Sequence, residues 1–485
     1  MNFLHLQSKA CYRALSSRDP RFDGRFFTGV SSTGIYCRPV CPARTPRREN
    51  CRFFACAAAA EEAGFRPCLR CRPETSPGTP AWRGTAATVS RAARLIAGGA
   101  LDEGGVDELA ARLGMGERHL RRLFDEHLGA SPVAVAQTRR VQFAKRLLDE
   151  TTLPMSQVAF ASGFGSVRRF NAAMRKVYSR SPSELRRERA PRRRGRAAAH
   201  LTLRLPYRPP YHWAGMMAFL GARTTPGVEQ IDGDLYRRTV AVGERSGILE
   251  VRPMAGESAL ALRVPVELSD DLVHVVERAR WMFDCNAEPR EIAAHLRRDP
   301  LLKKAVRVRT GLRIPGAWDG FELAVRAILG QQVTVAGATT LAGRLVQAHG
   351  EPLPGGEPGL DRLFPTPAVL AKVNPSALGM PRSRGTTLQG LARAVRDGDV
   401  VLDGSEDPQV VMQQLEAIPG VGDWTAQYIA MRALGESDAF PASDLGVRKA
   451  LGDGAVLPRV SEVLAGAEAW RPWRAYAAMN LWMEV

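Results

Sequence analysis

The sequence predicts a multidomain protein that is mainly α-helical with small β parts. Three observations support this fold class. The chain has 485 residues, which is too long for one hydrophobic core and fits about three domains. Helical periodicity runs over 86–185 and again from 271 onward. Between these regions, alternating segments at 201–205, 239–243 and 259–264 predict a small antiparallel sheet.

Composition and the first residues limit where the protein works. Hydrophobic residues make up 45% of the chain, but they form no run of about 18 uncharged apolar residues. The first residues lack the basic head and apolar core of a secretion signal. We therefore expect a cytoplasmic, nucleoid-associated protein with no membrane partner.

The positive charge is concentrated in one part of the chain. Residues 1–200 carry 36 Lys and Arg against 17 Asp and Glu, whereas the remaining residues carry 32 against 33. This distribution predicts salt-dependent binding of nucleic acid by the N-terminal part. Only 7 of the 68 basic residues are lysines. Arginine suits phosphate and guanine contacts, but a GC-rich genome explains the bias equally well.

Two short-spaced cysteine pairs, separated by 26 residues, predict one Zn²⁺ ion held by four thiolates. Two alternatives remain from spacing alone. The cysteines are reduced core residues, or the ligands include a further pair at Cys51 and Cys56. The predicted metal ligands are Cys37, Cys41, Cys68 and Cys71.

The segments STGIYCRPVCPAR (32–44) and GFRPCLRCRPE (64–74) resemble the N-terminal domain of the Ada-type adaptive-response regulators. In that family, one zinc-bound cysteine irreversibly takes the methyl group of a methylated DNA phosphotriester. The resemblance assigns this acceptor role to Cys37. It also implies phosphate contacts for a threonine and two arginines. These residues are Thr33, Arg66 and Arg70.

Two helix-turn-helix patterns follow, at 106–132 and 156–187, with Gly114 and Gly163 at their turns. One such pattern is often a plain helical hairpin, but two basic patterns in tandem indicate DNA binding. The pair resembles the AraC-type DNA-binding domain, which implies promoter DNA and RNA polymerase as partners. The basic faces are alternatively only solvated. The residues expected on the second helices to contact DNA are Arg118, Arg121, Arg168 and Arg169.

The stretch 415–444 carries the strongest functional pattern. Gly420 and Gly422 predict a tight hairpin with positive φ, followed by a helix from about Asp423 whose first amides suit phosphate oxygens. Asp444 comes twenty residues after Trp424. From spacing alone, the glycines are also compatible with an ordinary turn, and the aspartate with a helix N-cap.

This stretch resembles the helix-hairpin-helix family of DNA glycosylases. Many members that also cut the strand carry a lysine where this chain has Trp424. The resemblance therefore implies base excision by water, with Asp444 as the catalytic acid residue and no cofactor for this step. Together with 208–229, 321–345 and 471–485, it resembles the AlkA-type 3-methyladenine DNA glycosylase II along nearly all of residues 200–485.

That resemblance implies release of alkylated bases, chiefly 3-methyladenine and 7-methylguanine. Trp424 and Tyr428 stand at i and i+4 on one helix face, where their rings suit a cationic base. The resemblance adds Trp482 and Phe219 to this substrate pocket. The leucine wedge of the family aligns with Gln332. A pocket tyrosine of the family aligns with Leu445.

These patterns and the family resemblances that they carry imply a monomeric alkylation-damage protein that joins a methyl-sensing transcription activator to a DNA glycosylase acting on double-stranded DNA. One alternative is a regulator whose glycosylase fold is catalytically silent. Another is a repair enzyme whose N-terminal half only tethers it to DNA. The predicted domains are a zinc domain at 1–75, a helix-turn-helix domain at 85–187, an arginine-rich linker at 188–198, a glycosylase α+β subdomain at 199–270 and a helix-hairpin-helix domain at 271–485.

Overall fold

A computed structural model of the protein describes most of the chain. The predicted linker at 188–198 lies outside the described residues. So does most of the segment SPGTPAWRG at 76–84, whose composition also predicts a linker. None of the described helices is long and apolar enough to span a bilayer. The described ranges are 8–77, 85–187, 199–374, 380–452 and 456–484.

The chain folds into two compact units. The first contains the chain up to Arg208, together with Met254–Glu277 and Cys285–Ala287. The second contains Pro209–Pro253, Arg278–Asp284 and the chain from Glu288 onward.

The first unit begins with a small α+β region. Its elements are α1 (Ser8–Ser16), β1 (Phe27–Val30), β2 (Ile35–Cys37), β3 (Cys51–Phe54), α2 (Ala57–Glu62) and β4 (Arg66–Pro67). The strand order is β3-β1-β2-β4, with antiparallel pairs except for the parallel pair β2 and β4. Phe27, Tyr36 and Phe65 form the apolar core beneath this sheet. The sheet sets Cys37, at the end of β2, beside the segment that follows β4.

The predicted tandem helix-turn-helix region is all-helical. Its helices are α3 (Thr85–Ala97), α4 (Val106–Arg112), α5 (Glu117–Leu128), α6 (Pro132–Glu150), α7 (Met155–Ala161), α8 (Val167–Tyr178) and α9 (Pro182–Arg187). Gly114 and Gly163 take φ of +69° and +83° at the two turns, a conformation that glycine adopts without steric cost. Ser131 caps α6 with Pro132 at the first helical position, a favoured arrangement.

The predicted strands at 201–205, 239–243 and 259–264 are confirmed in position. The strands of this part are β5 (His200–Pro206), β6 (Glu229–Asp232), β7 (Leu235–Val242), β8 (Arg245–Pro253) and β9 (Ala259–Pro265). Within the first unit, β5 and β9 pair antiparallel along their whole length. Within the second unit, β6, β7 and β8 form an antiparallel meander. Alternate leucines of β5 are buried, as a strand with one covered face requires.

Helices dominate the chain after residue 271, as predicted. The helices from residue 209 onward are α10 (Trp213–Gly221), α11 (Leu272–Met282), α12 (Pro289–Leu296), α13 (Pro300–Val308), α14 (Gly320–Leu329), α15 (Val335–His349), α16 (Pro367–Leu370), α17 (Arg382–Asp397), α18 (Pro408–Glu416), α19 (Asp423–Arg432), α20 (Leu445–Leu451), α21 (Val460–Ala467) and α22 (Arg474–Trp482). Helix α19 packs against α14 and α18, and α20 packs against α22. Hydrogen bonds to Asp444, the N-cap of α20, bring the start of α19 and the end of α22 to the same place.

The proline and glycine residues near 350–367 predict loops that interrupt the helical pattern, and this expectation is wrong. The segment contains an antiparallel hairpin of β10 (Pro352–Glu357) and β11 (Leu360–Arg362). Gly359, at φ +82°, provides the turn. Leu353 and Leu360 are buried. The Pro and Gly residues that suggested a loop therefore belong to a turn that is anchored by two apolar side chains.

Candidate active site and metal centre

Asp444 is both the N-cap of α20 and the acceptor of two indole hydrogen bonds. Its Oδ1 accepts from the backbone N–H of Val447 at 3.0 Å and from Nε1 of Trp482 at 2.8 Å. Its Oδ2 accepts from Nε1 of Trp424 at 2.8 Å. The two alternatives for Asp444, a cap or a site residue, are thus compatible. All three donors are neutral, so they fix the orientation of the carboxylate without neutralising its charge.

The four predicted pocket rings form one cluster, and its two indoles contact this carboxylate. Trp424 and Tyr428 are stacked on one face of α19, with ring centroids 5.4 Å apart and planes 15° from parallel. Tyr428 lies 5.9 Å from Trp482, and Trp482 lies 6.1 Å from Phe219. Helices α10, α19 and α22 therefore assemble one aromatic cluster from segments that are far apart in sequence.

Two arginines in this cluster were not predicted from the sequence. The guanidinium of Arg223 lies 3.8 Å from the ring centroid of Phe219, and that of Arg432 lies 5.0 Å from it. Arg432 also donates to the Tyr428 hydroxyl at 2.5 Å. The sequence carries a signal for Arg432, which stands four residues after Tyr428 on α19. Arg223 also follows its ring, Phe219, by four residues, but it lies two residues beyond the end of α10.

These arginines change the chemistry of Tyr428. Burial by itself raises the pKa of this phenol, but the positive charges of Arg432 and Arg223 outweigh burial and hold its pKa below the ordinary value. Burial also lowers the pKa of Arg223. The faces of Phe219 and Tyr428 are thus already in contact with cations.

The predicted hairpin is present, but its two glycines differ. Gly420 has φ +90°, and a Cβ on it would lie 2.1 Å from Oγ1 of Thr387. Gly422 is instead extended, with φ −108° and ψ 177°, and is the N-cap of α19. The expectation of positive φ is therefore wrong for Gly422. A Cβ built on Gly422 meets open space, so the start of α19 is approachable from outside.

Gln332 lies in the loop between α14 and α15 and is exposed. Its φ is +55°, which is uncommon for a residue with a side chain. Leu445, at the position of the missing tyrosine, is 54% exposed. The structure places both of these departures from the family pattern at the surface.

The four predicted metal ligands come together in the first unit. The sulfurs of Cys37, Cys41, Cys68 and Cys71 all lie within 4.8 Å of one another. Cys37 is half-buried, whereas the other three are buried. Cys51 and Cys56 do not belong to this group; Cys51 donates to a backbone carbonyl, and Cys56 caps α2. Among the described residues, the alternative ligand pair is therefore not supported.

Side chains near the cysteine cluster extend to the helix-turn-helix region. Thr33, Arg66 and Arg70, the predicted phosphate contacts, are all exposed. Arg66 lies opposite Ile35 in the sheet and donates to Oγ of Ser179, the C-cap of α8, at 3.1 Å.

A buried ion-pair network joins the cysteine loop to α6. Arg72, directly after a metal-ligand candidate, has a left-handed backbone and pairs with Asp149 at 2.7 Å and Glu74 at 3.2 Å. Lys145 also contacts Asp149, at 2.6 Å. The sequence carries no signal for this network, because no local pattern pairs residues 77 positions apart.

The predicted DNA-contacting arginines lie on the second helix of each helix-turn-helix pattern. Leu120 and Phe124 anchor α5, and Phe170 and Met174 anchor α8. The opposite faces are exposed. Arg121 pairs with a glutamate of its own helix at 2.6 Å. The exposed arginines on these faces are Arg118, Arg121, Arg168 and Arg169.

Three family models match the chain. The metal binding domain of Ada matches residues 10–74. A helix-turn-helix domain matches residues 109–188. The AlkA N-terminal domain matches residues 202–319.

Relatives extend these matches over nearly the whole chain. A probable bifunctional transcriptional activator/DNA repair enzyme AlkA of Mycobacterium tuberculosis is 43% identical, covering 99% of this chain and 97% of that protein. DNA-3-methyladenine glycosylase 2 of Escherichia coli is 34% identical over 57% of this chain and 95% of that protein. A solved 3-methyladenine DNA-glycosylase from Archaeoglobus fulgidus shares the fold, with a TM-score of 0.51 and 21% identity, over 58% of this chain and 97% of that one.

Proposed function

Since the chain belongs to the family of bifunctional transcriptional activator/DNA repair enzymes of the AlkA type, we propose that it senses alkylation damage with its N-terminal part and excises alkylated bases with its C-terminal part. The sensing part comprises the domains at 1–75 and 85–187. The excising part comprises 199–270 and 271–485, which together act as a DNA-3-methyladenine glycosylase.

One observation carries the glycosylase proposal: the Asp444 carboxylate is held by two indoles within a cluster of four aromatic rings. A purine alkylated at N3 or N7 is positively charged and is already a good leaving group. The protein needs to extrude the nucleotide from the duplex, hold the base, and stabilise the sugar cation that develops. A fixed carboxylate beside C1′ meets the last need.

The reaction that we assign to this site is hydrolysis. The bond between C1′ and the purine nitrogen breaks, and its electron pair stays on the base. Asp444 stabilises the resulting oxocarbenium-like sugar and orients the water that adds to C1′. The side chain at position 424 is an indole without a nucleophilic amine, so it cannot form a Schiff base with the sugar. The excision is therefore monofunctional.

The rings divide between two tasks in this proposal. Phe219 and Tyr428 already face the guanidiniums of Arg223 and Arg432. The indoles of Trp424 and Trp482 are then left to stack on the cationic base. Cation–π attraction contributes about 0.5–2 kcal/mol per ring, enough to favour a charged base over a neutral one.

The hairpin and the α14–α15 loop support DNA binding at this site. The open surface at Gly422 leaves the first amides of α19 accessible to a phosphate oxygen. Gln332 projects from an exposed loop, and we assign it the filling of the gap that the flipped base leaves. An amide fills this space with less apolar stacking than leucine would.

Release of 3-methyladenine from alkylated duplex DNA tests the glycosylase proposal. The wild-type protein is expected to release the base, and the Asp444→Asn variant to lose this activity. Retained release in the variant would refute the role of Asp444. Absence of release by the wild type would favour a regulator that keeps the fold without catalysis.

The four-cysteine cluster supports a single zinc ion. Four thiolates at about 2.3 Å from a tetrahedral ion lie about 3.8 Å apart, which agrees with sulfurs that all lie within 4.8 Å. Cys37, Cys41, Cys68 and Cys71 would hold the ion. When bound, zinc keeps its thiols ionised at neutral pH.

We assign the methyl-acceptor role to Cys37, the position to which the family resemblance gives it; as a residue, Cys37 is also the most exposed of the four. The thiolate attacks the methyl carbon of a phosphotriester, a carbon–sulfur bond forms, and the phosphodiester leaves as an anion. The product is a neutral thioether, so the cluster loses one negative charge and repels the DNA backbone less. Exposed Thr33, Arg66 and Arg70 are suited to hold the phosphate.

The protein would then bind promoter DNA as a monomer through its helix-turn-helix arginines. It would also bring RNA polymerase to that promoter. Two contacts join the cysteine-cluster region directly to the helix-turn-helix region: the Arg72–Asp149 pair and the Arg66–Ser179 hydrogen bond. Promoter affinity is measured with the protein before and after exposure to methylphosphotriester DNA. Methylation is expected to raise it; equal affinity would mean that the N-terminal part only tethers the enzyme.

A further inference from the structure

We propose that Gln331 is a positioning residue that locks the exposed loop carrying Gln332 to the hairpin at 418–422. The proposal rests on the glycosylase function proposed above. It adds a link between the hairpin, which binds the DNA backbone, and the loop, whose Gln332 fills the gap in the duplex. The link keeps these two elements at a fixed spacing.

The first part of the link is the Gln331 side chain. Helix α14 ends at Leu329, and Gln331 follows in the turn before α15. Its Nε2 donates to the carbonyl of Gly420 at 2.9 Å and to Oγ1 of Thr425 at 3.0 Å. One amide therefore joins the loop both to the turn of the hairpin and to the first turn of α19.

Helix α17 completes the link with hydrogen bonds from two of its side chains. Arg384 donates to the backbone carbonyl of Gln331 at 2.5 Å. Thr387, one turn further along, donates to the carbonyl of Pro419 at 2.8 Å. Its hydroxyl lies where a Cβ of Gly420 would be. The loop, the hairpin and α17 are thus tied in a closed ring of side-chain to backbone bonds.

The link controls two groups that the glycosylase function uses. Gln332, the next residue, has a left-handed backbone that is unfavourable for a non-glycine residue, and the bonds of Gln331 hold this conformation. Thr425, the other partner, directly follows Trp424, which donates to Asp444. Gln331 therefore connects the exposed loop to the segment that orients the carboxylate.

The experiment compares wild type with Gln331→Met, which keeps the length of the side chain but removes both donors. Gln347→Met, at an exposed position of α15, is the matched control. The substrate is a duplex with one 7-methylguanine beside 2-aminopurine, whose fluorescence reports unstacking. Single-turnover release, binding to undamaged duplex and thermal unfolding are measured on the same proteins.

We expect Gln331→Met to lower the flipped fraction and the release rate together by about tenfold, a typical effect of losing a well-placed hydrogen bond. Binding to undamaged duplex should change little, because Thr387 still holds the hairpin. Gln331→Glu, which places an acceptor against the Gly420 carbonyl, should lose more. The proposal would be overturned if Gln331→Met flipped the same fraction of the base as wild type. It would also be overturned if the variant lost flipping and binding to undamaged duplex by equal factors.

A double variant separates positioning from general destabilisation. If Gln331 acts through its neighbour, Gln331→Met should cost much less in a Gln332→Gly background than in wild type, since the positioned side chain is already absent. Fully additive losses would contradict the link. A wild-type protein that releases no 7-methylguanine or 3-methyladenine would instead refute the glycosylase function itself.

Discussion

The Asp444→Asn substitution gives the sharpest test of the site. The carboxylate accepts three hydrogen bonds, one of which caps α20. Asparagine is about as good an N-cap as aspartate, so the variant should keep the helix. Its amide has only one acceptor oxygen, so one indole N–H of the pair must face an NH₂ group. The main loss is the negative charge.

The size of the effect follows from Coulomb's law. A unit charge ~4 Å from the developing cation contributes about 1 kcal/mol in bulk water and about 4 kcal/mol at an effective dielectric constant of about 20. Asp444 is half-buried between two indoles, which exclude water from two sides. We take the larger value, which corresponds to a rate loss of about a thousandfold.

The assay is single-turnover release of 3-methyladenine from alkylated duplex DNA, with enzyme in excess. Asp444→Ala serves as a comparison, because it also removes the cap and should lower the free energy of unfolding by about 1 kcal/mol. Asp444→Asn should therefore be inactive at near-normal stability, and Asp444→Ala inactive at reduced stability. Release by Asp444→Asn at the wild-type rate would refute the electrostatic argument.

Four further predictions concern other parts of the molecule. Trp424→Phe removes the 2.8 Å indole bond to the Asp444 carboxylate and should slow single-turnover release by about tenfold; an unchanged rate would count against orientation of the carboxylate by the indole. Burial raises the pKa of Asp284 from 3.8 to about 6, so its contribution to stability is present below pH 3.8 and is lost as pH rises through about 6. The loss is about 3 kcal/mol, and Asp284→Asn should flatten the melting temperature against pH over this window; an unaltered slope would contradict it. Cys37→Ser should abolish methyl uptake from phosphotriester DNA in intact-mass spectra, whereas Cys51→Ser should take up one methyl group like wild type. Arg168→Ala should reduce the slope of log affinity against log salt concentration for promoter DNA by about one. A slope equal to that of wild type would mean that this side chain makes no phosphate contact.

Local patterns in the sequence were sufficient for much of the architecture. The turns at Gly114 and Gly163 follow from one residue type and its spacing, since left-handed backbone favours glycine. The start of α19 at Asp423 and the shared face of Trp424 and Tyr428 follow from helical periodicity. Such features depend on neighbours within a few residues, which the sequence displays directly.

The cysteine cluster was predicted from the sequence only in part. Spacing predicted two pairs but left Cys51 and Cys56 as alternatives. The parallel pairing of β2 with β4 decides among them, because it brings the end of one strand beside the segment after the other. Strand pairing is a property of the folded sheet.

Contacts between distant segments were decided by tertiary structure alone. Gln331 reaches a carbonyl 89 residues away, and Arg72 pairs with a carboxylate 77 residues away. The sequence by itself determined which chemistry is available: a carboxylate and indoles at fixed spacing, four thiols, and exposed arginines on two helices. Only packing decided which groups meet, because a hydrogen bond or ion pair depends on distances of a few ångströms that no local periodicity specifies.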